Sequence, residues 1–387
     1  MVVFEGVYKM GVKYVIFAVL AAFLVLAMDS VCGAVDTLEI DKVRNKGVLD
    51  SRDLEIIDEF VAEGVQELVE TVDFTSIAKV RTVILARTSS SRDSAAAQYA
   101  EQFSESTYKY ISEGFKAIEE LTPEDVRLKV MVNLLILVDG LEDLRLVNLA
   151  RNKLNDESAV VRYWAVHSVT NPGIIKQLNS GGGANLKLAS EIIEQLKKLV
   201  GGSCPEILAL MAEFAAEVNI AQGEDLLAQI ADKRISQYAD WTVDYELLDA
   251  TILRLLCNKM SSEPMSNPAI ARRFGQLYSY AMQRYINDIR GGNFLSAIQR
   301  NQLTSVLVET EKSCIGRVLV PQSVIKKAVE RGDVEGLLLE HSRLLGDETG
   351  AGRLALKLNF NYGRTSDGSE RMAPLTLPEP PRVESSG

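Results

Sequence analysis

The chain has 387 residues, of which 47% are hydrophobic and 25% charged, a composition typical of a folded globular protein. This composition excludes wholesale disorder and fibrous repeats. The net charge is -11 and the whole sequence contains two histidines. An acidic chain is poorly suited to bind nucleic acid, and two histidines leave little material for metal or triad chemistry. We therefore expect no nucleic-acid partner, no cofactor and no metal site.

The N-terminus has the pattern of a secretory signal. An uncharged apolar run at residues 14–28 is preceded by two basic residues, Lys9 and Lys13. After the run, Cys32 and Ala34 supply the small residues needed for cleavage after Ala34. A membrane-spanning helix needs about 20 apolar residues, more than this run offers. We predict a signal peptide at residues 1–34 and a soluble, extracytoplasmic chain, periplasmic or secreted. The alternative is a membrane tether formed by an uncleaved N-terminal segment.

Cleavage after Ala34 would remove one of the four cysteines and leave Cys204, Cys257 and Cys314. Three cysteines allow at most one intramolecular disulfide, and their spacing matches no zinc-binding pattern. Whether any pair forms a disulfide stays open at the sequence level.

Apolar residues recur at three- and four-residue spacing along most of the chain, which predicts an all-α fold. Asp50 can cap the first long amphipathic helix, which lies in the acidic segment 36–73. Proline, glycine and short polar turns separate the later segments. We predict helices at residues 75–88, 93–119, 123–138, 141–154, 157–170, 185–200, 205–219, 224–236, 243–259, 268–290, 294–313, 321–331 and 333–345.

One segment, residues 141–171, indicates how such helices are arranged. A helix-patterned stretch ends near Leu154, a short polar turn follows at 155–158, and a second helix opens with Val161 and Arg162. This segment resembles a HEAT repeat, the two-helix unit of an α-solenoid.

The resemblance implies roles for four residues. Asp156 and Arg162 match the Asp and Arg that form hydrogen bonds between neighbouring turns of HEAT proteins, and Val161 and Ala165 match apolar core positions. A weaker copy with Val126 and Arg127 lies upstream. The implied fold is an α-α superhelix, a HEAT-like solenoid with irregular helical flanks.

Pattern and composition divide the chain into several regions. After the signal peptide these are an acidic helical region at 35–120, HEAT-like repeats at 121–260, a helical region at 261–345 and a flexible tail at 346–387. Within the tail, residues 353–362 alternate between apolar and polar side chains, which favours a β-strand. Leu375-Thr376-Leu377 is a short candidate partner for it.

The sequence shows no motif that carries a known chemistry. It contains no HExxH, GxSxG, P-loop or CxxC pattern, and the two histidines, His167 and His341, are far apart. We interpret both histidines as structural. The run at 350–355 fits GxGxxA, but it follows a predicted helix instead of a strand, so a dinucleotide site is not expected.

A basic, aromatic-rich segment at 271–300 is a candidate partner-binding surface. It contains Arg272, Arg273, Arg284 and Arg290, and arginine and tyrosine are favoured at protein interfaces. The alternative is an ordinary helix whose aromatic stripe is buried while the arginines are solvated.

A second cluster combines Asp240, Asp244 and Glu246 with Trp241 and Tyr245. Paired carboxylates beside aromatic rings are typical of enzymes that cleave polysaccharides. The same residues also suit a helix start, with Trp241 packing the loop onto the core.

The sequence therefore predicts an exported, non-catalytic scaffold that binds another protein through a HEAT-like helical surface. This function is what the family resemblance implies. The alternative hypothesis is an all-α enzyme acting on an extracellular polysaccharide through Asp240, Asp244 or Glu246. Neither hypothesis identifies the partner or the oligomeric state.

Overall fold

The computed structural model describes residues 36–71, 73–262, 267–292 and 294–380. The described chain is mostly helical, which confirms the predicted all-α class. Two antiparallel strands of two residues each, β1 (Gly346–Asp347) and β2 (Gly350–Ala351), are the strands within these residues. The predicted signal segment lies outside the described residues.

The chain divides into two compact units, with the boundary between Phe103 and Ser104. The first unit contains α1 (Leu38–Arg44), α2 (Ser51–Glu70), α3 (Phe74–Leu85) and the start of α4 (Asp93–Ala117). Asp50 is the N-cap of α2, as predicted, and forms a capping box with Asp53. The predicted regions at 35–120, 121–260 and 261–345 do not coincide with these units.

The second unit is built from a succession of helices joined by short turns. They are α5 (Glu124–Leu141), α6 (Val147–Arg151), α7 (Ala159–Val169), α8 (Pro172–Ser180), α9 (Gly183–Leu199), α10 (Pro205–Glu217), α11 (Ala221–Ala239), α12 (Leu247–Ser262), α13 (Pro268–Asn287), α14 (Ala297–Thr310), α15 (Gly316–Val318), α16 (Val324–Arg331), α17 (Val334–Leu345) and α18 (Arg353–Leu358).

Local chemistry explains where several of these helices begin. Asn171 caps α8 by accepting a hydrogen bond from the Gly173 amide, and Pro172 occupies the first helical position. Pro205 begins α10 in the same way. Proline suits this position because it lacks the N–H that would have no intrahelical acceptor there.

Within the series α10–α14, consecutive helices contact one another, and so do helices two positions apart. Helix α10 packs on α11 and α12, α11 packs on α13, and α12 packs on α13 and α14. Helices α7 and α9 join the same arrangement through α10 and α11, respectively. Each helix can therefore bury apolar residues on more than one side.

Helix α13 is the most enclosed element of this unit. Ile270, Ala271, an unbroken run from Phe274 to Met282, and the run from Arg284 to Ile286 are all buried. The neighbours that enclose α13 are α11, α12, α14, α17 and α18. The aromatic stripe of this segment is therefore core, and most of the helix surface that would carry solvated arginines is covered.

The strand predicted at 353–362 is wrong for its first half. Residues 353–358 form α18, in which Leu354 and Leu358 are buried while Leu356 is 71% exposed. The alternation of leucines also places Leu354 and Leu358 four residues apart, on one helical face, and packing against α13 and α17 selects the helix. After α18, Phe360 and Tyr362 are buried and Asn361 between them is half-buried, so only this short stretch follows the predicted alternation.

The segment after Tyr362, which belongs to the predicted flexible tail, turns back along itself and packs on the unit. The Tyr362 amide donates to the Arg371 carbonyl, and the Arg371 amide donates to the Gly363 carbonyl. Phe360 and Tyr362 lie against Gly275 of α13, where even a Cβ atom would come within 2.8 Å of the Tyr362 hydroxyl. Glycine at 275 thus permits the close approach of this segment.

Candidate peptide-binding site on helix α13

The four arginines predicted to bind a partner occupy different environments. Arg272 and Arg290 are exposed. Arg273 forms a bidentate ion pair with Asp232 of α11, with both N–O distances at 2.8 Å. Arg284 is 4% exposed, so its assignment to a partner-binding surface is wrong: the guanidinium pairs inside the protein with Glu246 at 3.3 Å.

The Arg284–Glu246 pair is buried but incompletely hydrogen-bonded. Arg284 Nε and Nη1 and Glu246 Oε2 have no hydrogen-bond partner. The guanidinium carbon lies 5.4 Å from the Trp241 ring centroid and 5.8 Å from that of Tyr238, so the aromatic rings supply part of its stabilisation. Burial raises the pKa of the Glu246 carboxyl above its usual value.

A second buried ion pair lies close by, and both of its carboxylate oxygens accept hydrogen bonds. Arg234 Nε and Nη2 donate to the two Asp249 carboxylate oxygens at 2.8 and 3.0 Å, and both side chains are 0% exposed. The Tyr238 hydroxyl donates to Asp249 at 2.7 Å. Burial, reinforced by the Asp249 carboxylate, holds the pKa of Tyr238 well above its usual value. These interactions connect α11 with α12.

The three carboxylates of the enzyme hypothesis do not share one environment. Asp240 caps the C-terminus of α11 and accepts a hydrogen bond from Ser236. The Asp244 side chain is 69% exposed and lies 3.8 Å from Arg234, whereas Glu246 is completely buried. Helix α12 begins at Leu247, after these residues, instead of at the predicted position 243.

Trp241 links the α11–α12 loop to the C-terminal segment. Trp241 and Tyr245 have positive φ angles of 58° and 52°, which give the loop a tightly bent path. The Trp241 indole packs edge-on against Phe294, with the ring centroids 4.9 Å apart, and its Nε1 donates to the Pro378 carbonyl at 3.0 Å. Trp241 therefore packs its loop onto the protein as expected, and it also binds backbone from far along the chain.

Two glutamines of α13 hold the backbone of residues 375–378, which we call the strap. The Gln276 amide donates to the Leu375 carbonyl at 3.2 Å, and its oxygen accepts from the Leu375 amide at 2.8 Å. The Gln283 amide donates to the same carbonyl at 3.1 Å, and its oxygen accepts from the Leu377 amide at 2.7 Å. Gln276 and Gln283 are seven residues apart, so they project from the same side of the helix.

The strap buries one of its four side chains. Leu377 is 5% exposed, and Pro374, just before the strap, is also buried, while Leu375 is 43% exposed and Thr376 is exposed. The site thus combines backbone recognition by glutamine with burial of a single leucine.

Gln283 is itself held in place by a polar chain behind the strap. Its amide also donates to Ser279 Oγ at 2.7 Å, and Ser279 Oγ lies 2.8 Å from His341 Nε2 of α17. Burial lowers the pKa of His341 to about 4, so at neutral pH the imidazole is uncharged. An uncharged Nε2 can accept a hydrogen bond from the Ser279 hydroxyl group. Ser279 Oγ can then accept a hydrogen bond from the Gln283 side-chain amide.

The HEAT-like residues lie together in one turn. Val161 and Ala165 of α7 are buried, as the resemblance implied. Arg162 Nη1 donates to the carbonyls of Asp156 and Glu157 at 2.7 and 2.9 Å, while Asp156 Oδ1 accepts from the Ser158 amide. These bonds close the turn before α7 within this one segment, whereas the resemblance implied bonds between neighbouring turns.

A cavity of about 290 Å³ opens beside this turn, with Arg162, Lys198 and Ser203 in its lining. Ligand pockets commonly enclose about 300–1,000 Å³, so this cavity is at their lower limit. Two cations without a lining carboxylate would favour an anion there.

The other reactive side chains have structural surroundings. Among the described residues Cys204 is exposed, Cys257 and Cys314 are buried, and none of the three forms a disulfide; the interaction of Cys314 with Cys257 raises the pKa of Cys314. His167 lies 2.8 Å from Asp139, so both histidines have polar partners, as interpreted from the sequence. Among the described residues, no three His, Cys, Asp or Glu side chains are grouped so as to hold a metal ion.

Sequence reasoning did not identify Gln276 and Gln283 as binding residues. The paired leucines of the strap were visible in the sequence, but they suggested a hairpin partner for a strand that the structure replaces with α18. In the sequence of a buried helix, a glutamine that binds a peptide cannot be distinguished from one that only packs against neighbouring helices.

Comparison with family models and with curated proteins finds no match for this chain. Within the described residues, no helix combines the length and apolar character that crossing a bilayer requires.

Proposed function

We propose that this chain is an exported, non-catalytic helical scaffold whose function is to bind another protein. The observation that carries the proposal is the seating of the strap on α13. This helix already holds an extended polypeptide through the side-chain amides of Gln276 and Gln283, with the Trp241 indole bound to the same segment. A surface that binds backbone in this way is suited to protein recognition.

The contact pattern supports a HEAT-like superhelix as the framework of the scaffold. Helices α10, α12 and α14 contact one another in succession, and so do α9, α11 and α13. Two parallel series of helices joined in this manner are what an α-solenoid requires.

The exposed arginines offer a direct test. Arg272 lies in the first part of α13, Arg290 lies three residues after its end, and both are exposed. Arg272→Glu with Arg290→Glu therefore reverses two charges without touching the ion pairs of Arg273 and Arg284. We expect the wild-type chain to capture a stoichiometric protein from the extracytoplasmic fraction of its host, and the double variant to lose it.

The matched control reverses two exposed charges elsewhere. Lys327→Glu with Arg331→Glu alters α16 by the same net charge and should retain the partner. Equal capture by both double variants would place the partner away from α13. A wild-type chain that captures no protein in stoichiometric amount would contradict the scaffold function.

A further inference from the structure

We infer that the surface of α13 occupied by the strap is an exchangeable binding site for an extended peptide of a partner protein that carries an apolar residue at the position of Leu377, and that residues 375–378 occupy it as a ligand from the same chain. This inference rests on the proposed protein-binding function and names the chemistry of the partner.

The first argument is that the site recognises backbone. Leu375 N and O and Leu377 N bond to two glutamine side chains, at distances from 2.7 to 3.2 Å, and Pro378 O bonds to Trp241 at 3.0 Å. Peptide amides and carbonyls are present in every polypeptide. A segment from another protein can therefore make all of these bonds.

The second argument concerns which side chains the site selects. Leu377 is almost fully buried, whereas Leu375 and Thr376 are exposed and place little demand on their identity. Proline at 378 has no amide hydrogen, and the bond to Trp241 uses only its carbonyl oxygen. The site thus requires an apolar residue at the position of Leu377 and tolerates proline directly after it.

The third argument is that two of the binding groups, Gln283 and Trp241, are oriented by contacts within the protein itself. Gln283 is oriented by Ser279, and Ser279 by His341, through contacts that do not involve the strap. Trp241 is packed edge-on against Phe294, a contact that also lies outside the strap. Pre-oriented groups lose little conformational freedom when a ligand binds, which favours binding of a separate peptide.

The strap is also attached in a way that permits release. It is preceded by a turn whose residues 366–370 are exposed, so the segment can leave α13 without unfolding a helix. A tethered ligand has an effective concentration in the millimolar range, so a partner peptide must compete against it. Because the strap competes for the same site, a partner whose peptide fits the site poorly should not displace it.

The test uses the full chain, cut after folding. A specific protease site is inserted between Asp367 and Gly368 in the exposed turn, and the folded protein is cleaved there, which converts the strap into a separable peptide. A fluorescent peptide with the sequence of residues 372–380 is then added and its binding measured by anisotropy.

We expect saturable binding of the labelled peptide, and binding weaker by about tenfold or more for a peptide carrying Leu377→Asp. The cleaved Gln276→Met/Gln283→Met protein should lose a similar factor, because methionine keeps the side-chain length but cannot donate or accept the strap bonds. Gln229→Met is the matched control, since Gln229 is exposed and bonds only to the Lys197 carbonyl. Equal binding of the wild-type and Leu377→Asp peptides would overturn the inference.

A second measurement covers the case in which cleavage unfolds the protein. In the uncut chain, excess peptide should accelerate hydrogen exchange at the Leu375 and Leu377 amides, because the displaced strap enters solvent. Unchanged exchange at saturating peptide would overturn the inference. A concentration-dependent dimer that the double methionine variant abolishes would assign the site to the strap of a second copy and overturn the partner peptide.

The outcomes separate this inference from the scaffold function. A captured partner that binds the wild-type and double methionine chains equally would overturn the peptide site and keep the scaffold. Peptide exchange without any captured partner would support the peptide site and contradict the scaffold.

Discussion

The two buried ion pairs of the second unit differ in how completely their atoms are satisfied. Arg234 and Asp249 use both carboxylate oxygens and gain Tyr238 as a third member, whereas Arg284 and Glu246 leave three polar atoms without hydrogen bonds. A buried charge is costly unless its partner and hydrogen bonds replace the lost water. The Arg234–Asp249 pair should therefore matter most to stability.

Asp249→Asn should lower the free energy of unfolding by about 3–5 kcal/mol, because it leaves the Arg234 charge buried without its carboxylate. Asp244→Asn is the matched control: Asp244 also faces Arg234, but its side chain is 69% exposed, so its loss should cost less than about 1 kcal/mol. Urea unfolding of both variants measures the difference. Similar losses for the two would contradict this account of the cluster.

His341 should make stability depend on pH. Its pKa is about 4 in the folded protein, by burial, and 6.5 in the unfolded chain, so the unfolded state takes up the proton first as pH falls. Its contribution to stability is complete above pH 6.5 and decreases toward pH 4, by up to about 3 kcal/mol.

His341→Gln isolates this effect, because glutamine can accept the Ser279 hydrogen bond without titrating. Glu246 also titrates, but it is present in both proteins and cancels in their difference. Wild type should lose stability faster than the variant over this pH range in urea unfolding. If the free energy of unfolding changes with pH in the same way for both proteins, His341 does not cause the pH dependence.

At the scale of single elements, the turn before α7 depends on one guanidinium. Arg162 Nη1 bonds two successive carbonyls, so Arg162→Ala leaves both without that donor. We expect a loss of about 1–3 kcal/mol in the free energy of unfolding. Glu157→Ala removes an exposed side chain from the same turn while keeping its carbonyl, and should change stability by less than about 0.5 kcal/mol.

Elements that depend on short-range chemistry could be predicted from the sequence. Asp50 caps α2, Pro205 begins α10, and Val161 and Ala165 are buried as expected, because capping and helical spacing involve residues within a few positions. The C-terminal elements could not be predicted in this way. The leucines at 354, 356 and 358 fit a strand and a helix equally well, and packing on α13 decides between them.

The candidate site illustrates the same limit at greater distance. Gln276 and Leu375 are 99 positions apart, and neither residue suggests the other by its local pattern. Arg284 suggested an interface because of its charge, but its pairing with Glu246 of the α11–α12 loop buries it. Residues that owe their role to distant contacts therefore need the three-dimensional structure.

For the molecule as a whole, the main prediction concerns its first residue after export. Cleavage behind Ala34 would leave Val35 at the N-terminus, as the sequence of the leader indicates. N-terminal sequencing of the protein recovered from the extracytoplasmic fraction should begin at Val35. Recovery in the membrane fraction with the leader intact would favour the tethered alternative and contradict export as a soluble chain.

Recognition of the strap through its backbone has a consequence for which changes natural variants can accommodate. Substitutions at Thr376 leave all four peptide groups in place, so many residues should be accepted there. A deletion or insertion of a single residue between Arg371 and Leu375 shifts Leu377 out of its buried position and misaligns both glutamine contacts. Spacing in this segment should therefore be kept more strictly than the identity of its exposed residues.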